Sequence, residues 1–148
     1  MIATFRTIGK AIVERQQTEL TYLETCRTYA GEIDDITTGI PFVAPASFTI
    51  FEGMERTTVT LEAFGQNAFQ VRYTVIVVAR TLEGKDDVAE DAEFSAHRMI
   101  EDTVVALTST NLGLEDFEGL TFERARRIRI VPTEAIYALD FSGIVTGD

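Results

Sequence analysis

Residues 69–80 have the sequence FQVRYTVIVVAR, which is the most informative stretch of this chain. The odd positions are apolar from Phe69 to Val77, and the even positions are polar until Ile76 and Val78 make both faces apolar. A strand with two apolar faces needs cover on both sides, so the pattern predicts a central strand of a packed sheet. No catalytic motif surrounds it, and the order of strands and helices therefore carries the functional argument.

The length and composition are those of one globular domain. The chain has 148 residues, of which 45% are hydrophobic and 25% charged. A chain of this size buries roughly 68–70% of its unfolded surface, which is enough for one core. We therefore expect residues 1–148 to form a single domain.

The charge balance is strongly acidic, with 24 acidic against 13 basic side chains and a net charge of −11. Such a balance disfavours a nucleic-acid surface built on phosphate neutralisation. A duct through which DNA must slide without binding would benefit from a negative wall, but on charge alone an ordinary soluble acidic protein is the simpler explanation.

The sequence carries no sign of export or of membrane insertion. Cys26 is the only cysteine, which excludes an internal disulfide and a multi-cysteine zinc site and fits a reducing cytoplasm. The first residues, MIATFRTIGKAIVERQQ, have no continuous apolar core, and no run of about 18 apolar residues occurs. We expect neither a signal peptide nor a membrane span.

The N-terminal half predicts one helix and short strands. Apolar residues at helical spacing predict an amphipathic helix over residues 1–20. A short strand within residues 21–30 precedes an acidic loop at residues 31–35, and Pro41 and Pro45 flank an extended segment. Residues 46–52 alternate as a strand that ends in a turn at Gly53, whereas residues 54–68 give no clear pattern.

The C-terminal half predicts a long helix and two closing strands. Residues 86–107 combine acidic first turns with a 3.6-residue apolar stripe, and residues 114–120 form an acidic connection. Residues 124–131 and 135–145 are predicted strands separated by Pro132. The predicted fold is α+β, with a mixed, mainly antiparallel sheet covered by two helices.

Two side chains could carry chemistry, and both have simpler explanations. His97 is the only histidine and has Glu93 and Glu101 at i−4 and i+4, which suits surface pairing better than a metal site. Nothing near Cys26 in the sequence would activate a thiol, so we expect a small buried apolar side chain.

The acidic pairs offer carboxylates for acid-base work or magnesium, but their positions in loops or helix starts favour solvated turns and dipole capping. Gly84-Lys85 lacks the other residues of a phosphate-binding loop. We therefore predict no catalytic residue, cofactor or metal. The acidic pairs are Asp34-Asp35, Asp86-Asp87 and Glu115-Asp116.

An arginine cluster stands out in this acidic chain: Arg124, Arg126, Arg127 and Arg129. In a regular strand Arg127 and Arg129 share one face and Arg124 and Arg126 the other. Charge on an edge strand protects it from uncontrolled pairing. Alternatively, the cluster forms an ion-pair seam with the acidic surface of a neighbouring identical subunit.

From end to end the chain resembles the tail terminator family of Mu-like contractile-tailed bacteriophages and prophages. The resemblance lies in the order and length of its segments, and no catalytic motif takes part in it. These segments are AIVERQQ, YAGEIDD, PFVAPASFTIFEG, FQVRYTVIVVAR, MIEDTVVALTSTNLGL and RIRIVPTEAIYALDFSGIV.

The resemblance implies a non-enzymatic protein of the virion tail, assembled in the bacterial host cytoplasm. It would form a hexameric ring on the finished tail tube, stop tube polymerisation and present a surface to the neck protein. The implied partners are other copies, the tail tube and the neck protein, with the sheath protein as a further candidate. DNA would pass through the lumen without specific binding.

Within such a ring, the arginine strand could meet acidic loop residues of the next copy, namely Glu32, Asp34 and Asp35. A neck or head-completion protein that joins head and tail is the nearest alternative. An enzyme centred on His97 or on a carboxylate pair, and a nucleic-acid-binding module using the arginines, are the other two classes.

Overall fold

The computed structural model describes residues 5–29, 42–56, 68–80, 92–115, 117–131 and 134–146. These residues form two helices and five strands. In chain order the elements are α1 (Phe5–Glu19), β1 (Thr25–Thr28), β2 (Ala46–Arg56), β3 (Ala68–Arg80), α2 (Ala92–Thr108), β4 (Phe117–Val131) and β5 (Glu134–Thr146).

The described strands make one sheet in the order β1-β2-β3-β5-β4. β1 runs parallel to β2, while the β2–β3, β3–β5 and β5–β4 pairs are antiparallel. The predicted α+β class with a mixed, mainly antiparallel sheet is therefore confirmed.

β3 is the central strand, as its apolar pattern predicts. It pairs with β2 on one side and with β5 on the other, and every residue from Val71 to Ala79 is buried except Arg72. The alternating side chains point to opposite faces of the sheet, so the strand contributes to two separate apolar clusters.

Both helices pack on the same face of the sheet. The larger cluster joins Ile8 and Ile12 of α1 with Met99 and Leu107 of α2 over the odd-numbered face of β3. Arg15 fixes the two helices to each other, since its Nε donates to the backbone oxygen of Ala106 at 3.0 Å near the end of α2. A cation there is favourable at the negative end of the helix dipole.

The opposite face carries a smaller cluster and none of the described helices. Phe48, Ile76, Val78 and Ile136 are nearly fully buried there. Phe42 packs edge-on against Phe48, with ring centroids 4.8 Å apart, so the extended segment before β2 supplies part of the cover. The predicted cover by two helices thus applies to one face only.

Two strand boundaries differ from the sequence-based prediction. β2 does not turn at Gly53 but continues to Arg56, because a bulge between Phe51 and Gly53 absorbs the irregular position. β4 begins at Phe117 rather than at residue 124. Gly119, at φ 97°, lies in a register shift between Phe117 and Leu120, so a glycine that suggested a loop instead marks a bulge.

Several predicted features lie outside the described residues. They include the acidic loop at 31–35, the TTVT sequence at 57–60, the loop at 83–85 and the start of the second predicted helix at 86–91. Of the predicted site residues, this group contains Glu32, Asp34 and Asp35.

Candidate subunit-interface site

The arginine cluster lies on β4, an edge strand among the five described strands. Six successive residues, 123–128, are exposed, so both faces of the strand are open at this level. Ile128 retains 47% of its accessible surface. An edge strand that exposes an apolar side chain and unpaired backbone is a natural place for contact with another chain.

Arg124 and Arg126 converge on Asp140 of the neighbouring strand. Arg124 Nε donates to Asp140 Oδ2 at 2.7 Å, and Arg126 donates to both carboxylate oxygens, through Nε at 2.9 Å and Nη2 at 3.1 Å. Thr74 of β3 donates its hydroxyl to Asp140 Oδ1 at 2.9 Å. The shared face predicted for Arg124 and Arg126 is confirmed, and their partner lies in the same chain.

The electrostatics of Asp140 follow from these hydrogen bonds. Burial by itself would raise the pKa of this carboxyl, but donation by Arg126, Arg124 and Thr74 outweighs burial and lowers the pKa below its usual value. Asp140 in turn raises the pKa of Arg126. The arrangement is a stable charged clamp across β3, β5 and β4.

Arg127 differs from its two neighbours. It pairs in register with Tyr137, on the helix-covered face, and makes no ion pair with any residue in the described part of the chain. Its exposed guanidinium is therefore available for an external carboxylate. The predicted partners Glu32, Asp34 and Asp35 lie outside the described residues.

The strand backbone is irregular between Arg127 and Arg129, which the sequence predicted to share one face. A register shift separates the two residues, which pair with Tyr137 and Ile136 respectively. Those partners are consecutive in β5, so they point to opposite faces of the sheet. The prediction assumed regular alternation, and a bulge breaks it.

Sequence reasoning missed Asp140 as the central residue of the clamp. A signal was present, because Asp140 is the only charged residue in the predicted strand at 135–145. A lone carboxylate within an apolar strand indicates a paired side chain. Which strand would supply the partners depends on the β5–β4 register, and that register contains three irregularities.

The neighbours of His97 and Cys26, the two candidates for chemistry, are defined in the structure. His97 is exposed on α2, with Nε2 lying 3.4 Å from the Tyr137 hydroxyl oxygen. Cys26 is half-buried rather than fully buried, and burial raises the pKa of its thiol to about 11, which leaves little thiolate at neutral pH. Its thiol donates to the backbone oxygen of Val13 at 3.7 Å.

Neither a metal site nor a membrane span is found in the described ranges. No three His, Cys, Asp or Glu side chains come together there as a metal would require. Neither of the two described helices is long and apolar enough to cross a membrane.

Comparison with known proteins assigns the chain to a family. A family model described as Bacteriophage Mu, Gp37 matches residues 4–143, nearly the whole chain. No curated protein matches the chain significantly. The resemblance to a Mu-like phage family is confirmed. The chain therefore belongs to the Bacteriophage Mu, Gp37 family, a tail-related family of phage structural proteins.

Proposed function

We propose that this chain is a tail terminator. Six copies form a ring on the completed tail tube, stop its polymerisation and present the surface to which the neck and head attach. The protein acts by binding other proteins and not by catalysis. It belongs to the virion tail and assembles in the cytoplasm of the bacterial host.

The observation that supports the proposal most is the open β4 edge within a member of a phage tail-related family. Residues 123–128 are exposed on both faces, and Arg127 has no described carboxylate partner. A heterologous contact, in which one surface of each copy meets a different surface of the next, closes into a ring when the rotation allows. An open edge on one side of the sheet provides one of those surfaces.

The charge of the chain suits a ring through which DNA passes. Each copy carries a net charge of −11. A negative lumen repels phosphate and would let DNA slide without specific binding. We expect Arg127 to contact an acidic loop of the next copy, with Glu32, Asp34 and Asp35 as candidates. Basic side chains, the less common charge in this chain, would then stabilise the contact between copies.

The test is the length of tail tubes made without the protein. A phage or prophage lacking this gene should produce tubes of variable and excessive length that do not join heads, and electron microscopy measures both properties. Complementation with the gene should restore a single length. Unjoined tails of normal length would contradict the terminator role and favour the alternative, a neck or head-completion protein.

A further inference from the structure

The sheet has a second open edge that the arginine cluster does not involve. β1 pairs only with residues 46–49 of β2, so the remainder of β2, from Ile50 to Arg56, has no strand partner on that side among the described strands. β1 and β4 are the outer strands, so this open part of β2 and β4 face opposite sides of the molecule.

Apolar side chains are exposed along the open part of β2. Phe51 and Met54 are 43% and 49% exposed, and Phe5, at the start of α1, is 50% exposed. Phe5 stacks on Phe51 with ring centroids 5.1 Å apart. Met54 and Phe51 pair with Val71 and Tyr73, which share a face of β3, so all three side chains belong to one surface, here called the Phe5 patch.

The Phe5 patch has basic neighbours in an acidic chain. Phe5, Phe51, Arg6 and Lys10 line the same groove of about 600 Å³ between α1 and the strands. Arg6 is exposed and makes no ion pair with a described residue. Lys10 lies 3.9 Å from Glu14, and both side chains are largely in solvent, so that pair contributes little. Aromatic side chains beside one cation without a described ion pair and another that is only weakly paired fit an acidic protein surface.

The opposite edge offers such a surface at the same level of the sheet. The register leads from Met54 through Val71 and Gly143 to Leu120, and from Arg56 through Phe69 and Val145 to Phe117. Glu118 therefore lies on β4 between the levels of Met54 and Arg56. Its side chain is exposed and has no ion-pair partner among the described residues.

We propose that the Phe5 patch of one copy receives the start of β4 from the next copy, with Glu118 placed against Arg6 and Lys10. This proposal rests on the proposed ring. Adjacent copies in a ring are related by a rotation about the ring axis, without a shift along it. In a ring whose strands run along that axis, residues at the same level of the two opposite sheet edges therefore meet. The same contact covers the apolar surface of Phe51 and Met54.

Cysteine cross-linking tests the contact directly. Met54→Cys and Glu118→Cys are combined in a Cys26→Ala chain and oxidised. Within one chain β2 and β4 are three strand spacings apart, about 14 Å. A disulfide needs Cα atoms closer than about 7 Å, so any bond formed joins two copies. We expect a covalent ladder that reaches the hexamer, whereas each single-cysteine chain stays uncrosslinked because a heterologous contact never brings identical positions together.

Charge reversal supplies an independent measurement. Arg6→Glu and Glu118→Lys should each weaken association about tenfold or more, and the chain with both changes should recover most of the loss. Glu101→Lys is the matched control, since Glu101 is exposed on α2 and belongs neither to β4 nor to the Phe5 patch, and it should leave association unchanged.

The outcomes separate this contact from the ring itself. A hexamer with no Met54–Glu118 cross-link, and with association insensitive to both reversals, overturns the contact and leaves the ring in place. Protection of the Met54→Cys thiol from alkylation by added tail tubes, without a Met54–Glu118 cross-link, instead assigns the patch to the tube and also overturns the contact. A chain that stays monomeric with and without tail tubes contradicts the ring and the contact together.

Discussion

At the scale of single residues, Gly143 shows how closely the start of β4 packs on β5. A Cβ at this position would lie 2.6 Å from Phe117 Cε1 and 2.9 Å from the backbone oxygen of Gly119. Both atoms belong to the bulged start of β4, which the proposed contact uses. Any side chain at position 143 must displace the Phe117 ring or the bulge.

We therefore expect Gly143→Ala to lower the free energy of unfolding by about 1–3 kcal/mol, the usual cost of overpacking. Denaturant unfolding measures it. Gly9→Ala is the control: its Cβ would lie 3.5 Å from Tyr73 Cε1, an ordinary contact, and alanine is better than glycine within a helix by up to about 1 kcal/mol. Equal stability of Gly143→Ala and the parent chain would contradict the described packing.

Asp140 gives a second residue-level prediction, in the pH dependence of stability. Because the folded state lowers its pKa, Asp140 binds a proton more readily in the unfolded chain. Its stabilising contribution is complete above the unfolded pKa of about 3.9 and is lost as the pH falls through the lower folded pKa.

Asp140→Asn should therefore lower the free energy of unfolding by about 1.5–3 kcal/mol at pH 7, the range for hydrogen bonds to a charged group. The difference from the parent chain should narrow as the pH falls below about 4. Denaturant titrations at pH 7, 5 and 3 measure this convergence. A constant difference at all three values would show that the carboxylate charge does not stabilise the clamp.

At the scale of elements, β4 divides into parts with different expected roles. Arg124 and Arg126 form ion pairs with Asp140, and Arg127 does not.

Arg127→Glu should weaken ring assembly about tenfold or more, because the new carboxylate would face the carboxylate that Arg127 is proposed to bind. The melting temperature of the monomer should stay within a few degrees. Arg127→Lys keeps the charge and should assemble. Sedimentation velocity measures the assembly of both variants. Unchanged assembly of Arg127→Glu would remove this residue from the interface.

The sequence predicted those elements whose local pattern agrees with their environment. The sequence predicted β3 as the central strand because residues on both of its faces are apolar, and both faces are buried. The apolar stripe of α2 lies on the side of the helix that packs on the sheet. The start of β4 was missed because Gly119 and the acidic residues around it are typical of a loop. In the structure this glycine lies in a bulge, and the strand around it pairs with β5, which follows later in the sequence.

The site was less predictable than the fold for the same reason. The arginine cluster is visible in the sequence, but which arginines are satisfied within the chain depends on Asp140 and on the register shifts of β4. The Phe5 patch joins the first turn of α1 to the end of β2, about 46 residues apart, and the short length of β1 is what exposes it. No local pattern carries that information.

At the scale of the whole molecule, net charge opposes the assembly that the local charges favour. Six copies carry 6 × −11 = −66 charges. The Debye length falls from about 30 Å at 0.01 M salt to about 8 Å at physiological ionic strength. Repulsion across the ring is therefore screened over this range, whereas pairs in direct contact are screened less.

We accordingly expect association to strengthen between about 0.01 M and 0.15 M salt. The average mass at fixed protein concentration reports the change. A steady loss of association over the same range would show that contact ion pairs, rather than net repulsion, dominate the salt dependence.

The solution mass across protein concentration, by light scattering at physiological salt, tests the ring most directly. One copy weighs 16.4 kDa, so the account predicts a limiting species of 6 × 16.4 = 98.4 kDa that does not grow further, because a closed ring leaves no open edge. A closed dimer at 2 × 16.4 = 32.8 kDa, or a mass of 16.4 kDa that persists when tail tubes are added, would contradict it.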